Sequence, residues 1–380
     1  MTELYYPLHS LREGHWFKLI CGASFQHLPA VRNLTLAYTL AGADCIDIAA
    51  DPAVIATAKE AINIAERLGG EAQARGFGFR SRPWLMVSLN DGEDPHFRKA
   101  AFDPDLCPIE CPRPCEAICP AQAIVFQKAS DGFSGVVDKH CYGCGRCLPV
   151  CPSQLIYTRS YVSTPEAIAE LVLQDDIDAL EIHTQVGHFE DFQRLWGAIA
   201  PWIGRLKLLA ISCPDHEGLI DYLLRLYQLI TPLPCPLVWQ TDGRPMSGDI
   251  GIGATRAAVR LSQKVLEAGL PGYVQLAGGT NAHTVMKLKS MGLLKHEANL
   301  QLFVAGVAYG SYARTLLSPI LDELEQVQEK ALEENLDSVQ GLLLGCLEAS
   351  PSLLWQAVAR ADSLVSQLKS AKNLPQPIPN

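Results

Sequence analysis

Leu208-Leu-Ala-Ile-Ser-Cys213 is followed by a helical stretch, 215–230, that repeats Leu219, Leu223, Leu226 and Ile230 on one side, and then by Leu237-Val-Trp-Gln-Thr241. The two apolar runs are near-continuous rather than alternating. That pattern suits strands of a parallel sheet covered by helices, since a half-exposed strand would show polar residues at every second position. Working outward, the same kind of run recurs at 17–21, 45–49, 84–89, 179–183, 273–277 and 302–305. Between the runs lie amphipathic helices; 53–68, for example, sets Val54, Ala58, Ile62 and Ala65 on one side. Ser163 with Glu166 three residues on, and Thr280, are N-cap candidates for two more. Eight strand–helix units in series predict an α/β fold of the TIM-type (β/α)8 barrel class, because each parallel strand returns through a helix and eight close the sheet. An open doubly wound sheet is the alternative.

Composition sets the outer limits. The 380 residues are 48% hydrophobic and 19% charged, which excludes a disordered or collagenous chain. Against 31 Lys and Arg stand 41 Asp and Glu, a net charge of -10, so nucleic acid is not an expected partner. Residues 1–18 carry Glu3, Arg12 and Glu13 with no apolar core of a secretion signal. Apolar runs such as 342–344 fall far short of the roughly 18 residues that span a bilayer. The expectation is a soluble, cytoplasmic protein that does not span a membrane.

One connection breaks the rhythm. The link from the third strand to the fourth covers 90–178, far more than one helix, and it holds a dense cysteine block. The expected organisation is therefore a barrel from 1–92 and 161–320, a small inserted domain at 93–160, a helical extension at 321–370 interrupted near Ser350-Pro351, and a Pro-rich tail at 371–380 expected to be disordered.

Eight of the thirteen cysteines lie between Cys107 and Cys151. They read Cys107-Pro-Ile-Glu-Cys111-Pro-Arg-Pro-Cys115-Glu-Ala-Ile-Cys119-Pro120 and Cys141-Tyr-Gly-Cys144-Gly-Arg-Cys147-Leu-Pro-Val-Cys151-Pro152. The second half follows the bacterial ferredoxin run, in which three closely spaced cysteines hold one side of a cluster and the cysteine before proline reaches the other cluster. By that logic Cys119, Cys141, Cys144 and Cys147 hold one [4Fe-4S] cluster, while Cys107, Cys111, Cys115 and Cys151 hold a second. Gly143 and Gly145 leave room for backbone amides to approach the cluster sulfides. The first half has three residues between cysteines where two are usual, so its cluster is either a cubane on an expanded loop or a [3Fe-4S] cluster. Zinc is the competing metal, but two four-cysteine runs that both end in Cys-Pro fit zinc poorly. The spacing of a radical S-adenosylmethionine site is absent. Cys21 and Cys213 end strands, and they and the remaining single cysteines read as small apolar residues.

In a barrel of this class ligands bind at the C-terminal ends of the strands, often with phosphate in the last two loops. Those loops read Gly278-Gly279-Thr280-Asn281 and Gly306-Val-Ala-Tyr-Gly310-Ser311, and Gly278, Gly279, Thr280, Asn281, Gly306, Gly310 and Ser311 are the candidate contacts for a phosphate or flavin-phosphate ligand. Glycines that merely permit tight turns would look the same. Asp51, Asn90, His183, Ser212, Gln240, Asp242, Arg244 and Asn281 gather at the same mouth. Glu181 and His183 point the same way from one strand, either as an acid/base pair or as a satisfied polar pair in the barrel wall. Gly251-Ile-Gly253 lacks a third glycine, Arg256 standing there, so a dinucleotide fingerprint fails.

The ferredoxin-type block, together with Lys18-Leu-Ile-Cys-Gly-Ala-Ser24, Val238-Trp-Gln-Thr-Asp-Gly-Arg-Pro245 and Gln275-Leu-Ala-Gly-Gly-Thr-Asn281, resembles the cyanobacterial light-dependent period (LdpA) family over nearly the whole chain. The resemblance implies an iron–sulfur protein in the input pathway of the circadian clock, associated with the input histidine kinase and the Kai proteins. Two functional classes follow. One is a redox sensor that follows the electron-carrier or quinone pool; the other is a ferredoxin-linked oxidoreductase with a flavin or phosphate ligand at the barrel mouth.

Overall fold

A computed structural model describes residues 6–21, 28–92, 98–119, 122–127, 132–137, 141, 147–160, 177–243, 254–295, 302–333 and 345–369. Twelve strands are described: β1 (Trp16–Ile20), β2 (Cys45–Ala49), β3 (Trp84–Asn90), β4 (Arg98–Ala101), β5 (Ile124–Val125), β6 (Gly135–Val136), β7 (Tyr157–Ser160), β8 (Ala179–His183), β9 (Leu208–Pro214), β10 (Leu237–Asp242), β11 (Tyr273–Ala277) and β12 (Gly306–Tyr309). Eight of them, β1–β3 and β8–β12, are parallel and close into a barrel in chain order, β12 pairing back onto β1. The open-sheet alternative is excluded. The other four strands lie outside the barrel, on the chain that leaves after β3 and returns at β8.

The helices are α1 (Tyr6–Glu13), α2 (Leu28–Leu40), α3 (Pro52–Ala74), α4 (Pro114–Ala117), α5 (Cys147–Val150), α6 (Phe189–Ile199), α7 (Leu219–Ile230), α8 (Ala254–Glu267), α9 (Thr284–Ser290), α10 (Ser311–Glu333) and α11 (Pro351–Lys369). α7 buries Leu219, Leu223, Leu226 and Ile230, the side its periodicity marks as apolar. α11 buries Leu354, Val358, Ala361, Leu364 and Val365, and Lys369 at its end reaches Asp44, just before β2, at 2.7 Å. The C-terminal extension is thus packed onto the barrel. Among the described residues no helix is long and apolar enough to cross a membrane.

The eighth strand corrects the reading of the sequence. It is Gly306–Tyr309 rather than 302–305. Gly306 pairs with Trp16, where a Cβ would come within 2.3 Å of the Trp16 carbonyl oxygen and 2.5 Å of its Cβ. Glycine is needed there because the barrel floor is filled by the Trp16 indole, packed edge-on against Trp84 at 5.7 Å. A glycine read as a loop residue is therefore a strand residue at a close approach, and Gly306 sits at the floor, away from the mouth.

Candidate functional site

The cysteine segment is built from very short elements. β4 pairs antiparallel with β7, and β5 with β6. Proline starts α4, directly after Arg113 in a left-handed conformation (φ +53°), which turns the chain so that Cys115 points inward. The Cys107 amide donates to Pro104 O (3.1 Å) and the Cys111 amide to Pro108 O (3.0 Å), so each of these cysteines ends a tight turn. Cys107, Cys111, Cys115 and Cys151 line one cavity, with Phe102, Phe126, Leu155 and Ile156 as apolar walls. Among the described residues, no three His, Cys, Asp or Glu side chains converge as the ligands of a single metal ion would. Cys119, Cys141 and Cys147 belong with Cys115, Ile124 and Ile156 to one apolar cluster, Cys141 and Cys147 buried within it and Cys119 at its margin. Cys144, Gly143, Gly145 and Arg146 lie outside the described residues.

Backbone N–H groups are aimed at several of the sulfurs, Cys115, Cys119 and Cys151 among them. Ala123 N donates to Cys119 Sγ at 3.2 Å. Burial pushes the Cys151 thiol up, but the amides of Leu155, Ile156, Ser153 and Gln154 outweigh it and hold the thiol below the ordinary cysteine value. Burial leads in raising Cys107 and Cys115, to which neighbouring cysteines add. A thiolate is the form that ligates metal, so the amide cradle at Cys151 favours ligation. The sequence carries a signal for this cradle that cysteine counting misses. Cys119-Pro-Ala-Gln122-Ala-Ile124 and Cys151-Pro-Ser-Gln154-Leu-Ile156 are the same motif, and both glutamines adopt positive φ, +48° and +53°. Their amides donate to the carbonyls of Cys119 (3.0 Å) and Cys151 (3.1 Å). A left-handed non-glycine residue in the same place twice marks a built turn.

The barrel holds a second polar constellation. Lys18 Nζ contacts Glu181 and lies 2.9 Å from Asp47, all three side chains at most 2% exposed. Ser88 donates to Asp47 (2.7 Å), and Gln240 Nε2 donates to Glu181 Oε1 (2.6 Å) and Ser212 Oγ (3.2 Å). Gln275 donates to Gln240 (2.5 Å), and the Trp16 indole N–H donates to Gln275 (2.6 Å). Seven strands thus contribute to one connected layer. Burial alone would push Lys18 toward neutrality, but the Asp47 and Glu181 carboxylates hold its pKa above the ordinary lysine value, so it is a buried ammonium and not a nucleophilic amine. His183 Nε2 lies 3.1 Å from Glu181 Oε1 and is the partly open end of the layer. Lys18 and Asp47 were not among the sequence candidates, although a charge at an inward position of an apolar strand is a visible signal.

At the mouth, Gly278 and Gly279 take positive φ (+66° and +96°). The buried Thr280 hydroxyl donates to Ala308 O (2.7 Å), Thr255 donates to Gly279 O (3.1 Å), and Asn281 Nδ2 donates to Thr255 Oγ1 (3.0 Å). These groups therefore tie the loop to α8 and β12. Gly310 follows β12; Ser311 Oγ accepts from Arg314 Nη2 at 3.2 Å, and Arg314 Nη1 donates to Ile20 O at 3.2 Å. Arg244 and residues 251–253 lie outside the described residues. The cysteine segment is anchored to the mouth by Lys99 of β4, whose ammonium is 3.3 Å from Asp51 Oδ2, both side chains nearly buried. Asp51 Oδ1 simultaneously caps α3 through Ala53 N at 2.8 Å.

A closed parallel barrel carrying a cysteine-lined segment at its mouth defines an iron–sulfur-type barrel protein. The family model described as the LdpA Fe-S cluster-binding domain matches residues 107–162, and that of the light dependent period A C-terminal domain matches 171–367. The chain is 50% identical over 366 residues to Light dependent period A of Synechococcus elongatus, covering 96% of this chain and 94% of that one. The chain belongs to the LdpA family.

Proposed function

We propose that the chain is a redox-sensing iron–sulfur protein of light-dependent clock control, in which an inserted ferredoxin-like domain at 93–160 holds two clusters. The reading rests first on one observation: Cys107, Cys111 and Cys115, from one loop, share a cavity with Cys151, which comes from the far end of the segment. That is the crossed set a two-cluster arrangement needs. The short strands pairing β4 with β7 and β5 with β6 support the ferredoxin-like assignment. In the same reading Cys119, Cys141, Cys144 and Cys147 form the other set, with the Ala123 amide on Cys119. Either set supplies one-electron chemistry when loaded. The protein's own part is to hold the thiolates, aim amides at them and keep water out with Phe102 and Phe126, whose rings lie 5.7 Å apart.

A change in local charge alters the segment, and the Lys99–Asp51 pair passes the change to the barrel end. Partners that read it are clock components, the input histidine kinase and Kai proteins among them, in the cytoplasm. Comparing hydrogen exchange of air-free protein before and after reduction tests this. The difference should concentrate in 98–160 and around Asp51. Identical exchange in both states would remove the sensing role.

A second reading, a ferredoxin-linked oxidoreductase, draws on the polar layer that ends in His183 below the mouth. Its flavin or phosphate ligand would meet Gly278, Gly279, Thr280, Asn281, Gly310 and Ser311. Flavin released from purified protein by heat or acid favours this reading over a pure sensor.

A further inference from the structure

Nine large apolar side chains are exposed among the described residues, and five of them, Leu106, Ile109, Ile118, Phe133 and Tyr157, fall on the short cysteine segment. Leu106 (64%) and Ile109 (95%) flank Cys107, and Ile109 stands between Cys107 and Cys111, both of which are only partly buried. Ile109 is not part of the cavity lining, whose apolar walls include Phe102 and Phe126. Tyr157 (58%) is also exposed and pairs across the strands with Ala101. An apolar group left in water beside two cysteines of the cavity is available to a partner.

The rim has a sign. Asp103, Asp105, Glu110 and Glu116 are all exposed around this loop, and Arg113 is turned away, its guanidinium 4.1 Å over the Phe126 ring. From 103 to 119 the sequence has these four acids against that one base. We propose that Leu106 and Ile109, flanked along the loop by these carboxylates, form the docking face for a one-electron carrier protein whose own contact face is apolar at the centre and rimmed by lysine or arginine. Redox encounters use small interfaces, below about 1,200 Å², so a patch of this size is sufficient. Opposite charge at the rim steers approach, and the apolar centre brings the cavity edge close to the partner's centre.

The inference rests on the iron–sulfur reading above. Full-length protein, prepared without air and with its iron measured first, is reduced by dithionite, freed of excess reagent and mixed with a basic ferric cytochrome c as probe. One electron leaves the protein for the haem iron, which becomes ferrous; no bond or proton moves. The rate should fall with rising salt. Glu110→Lys should lower it about tenfold at low salt, and Ile109→Ser should lower it several-fold at all salt concentrations. Asp221→Lys, the same charge change on the barrel helix α7, should leave it within about twofold. Rates indifferent to salt and to both loop substitutions, or faster transfer to an acidic flavodoxin, overturn the docking face. So does sedimentation showing that Ile109→Ser splits a dimer, since the face then belongs to a second copy. Iron-free protein sinks the iron–sulfur reading instead, while iron-loaded protein with indifferent rates sinks only this one.

Discussion

The barrel interior and the cysteine segment solve opposite problems. The barrel hides charge: Lys18, Asp47 and Glu181 sit at most 2% exposed and are held by one another and by Ser88, Gln240 and His183. The segment shows apolar surface: Ile109 stands 95% exposed, and among the described residues its buried core comprises seven, three of them cysteines. A closed sheet wrapped in helices has packing enough to carry the desolvation of three ions. Two-residue strands and four-residue helices do not, and small units of this kind need a staple. The barrel is held by packing, and in the function proposed above the segment is held by ligation.

The largest test of that contrast is Cys151→Ala. It should remove about half of the iron and open 98–160 to proteolysis while the barrel keeps its circular dichroism. Full iron content would show that Cys151 is not a ligand. Next is Lys18→Met, which leaves Asp47 and Glu181 buried together without their cation. Loss of about 3–5 kcal/mol in denaturant unfolding is expected, with iron content unchanged. A cost under about 1 kcal/mol would mean the layer tolerates a simple apolar replacement.

The two mouth loops should separate next. Gly279→Ala forces alanine to φ +96° and should cost about 1–2 kcal/mol. Gly310→Ala meets nothing nearer than 3.7 Å and should cost under about 0.5 kcal/mol. Equal losses would contradict the backbone argument. A further test concerns the extension. Burial raises the Glu348 carboxyl, but Arg32 outweighs it and holds the group below its usual value of 4.5. A depressed carboxylate stabilises the fold above its unfolded pKa, and that contribution disappears as pH falls through the folded one. Glu348→Gln should therefore cost about 0.5–1 kcal/mol at neutral pH and nothing once the native carboxyl is protonated. A cost that persists in acid would point to packing instead.

Much of this contrast could be read in the residues. The β9–α7–β10 unit announced its parallel sheet because both strands are continuously apolar, and the Cys-Pro endings supplied the two cysteine sets proposed above. β12 was placed four residues early because Gly306 looks like punctuation, and only the Trp16 indole opposite makes it a strand residue. Glu181, His183, Ser212 and Gln240 were legible as inward polar residues, but Lys18 and Asp47 were not joined to them because a lone charge in an apolar run says nothing about its partners. The exposure of Ile109 is likewise a property of the folded loop, since the same residue in a strand would be core.

Iron, zinc and acid-labile sulfide measured per chain on air-free protein test the central claim most directly. Two filled sets of cysteines require about eight irons, or about seven if the wide-spaced loop carries a three-iron cluster, with a matching amount of sulfide and a brown colour. Colourless protein holding zinc and no sulfide would contradict the account at its base.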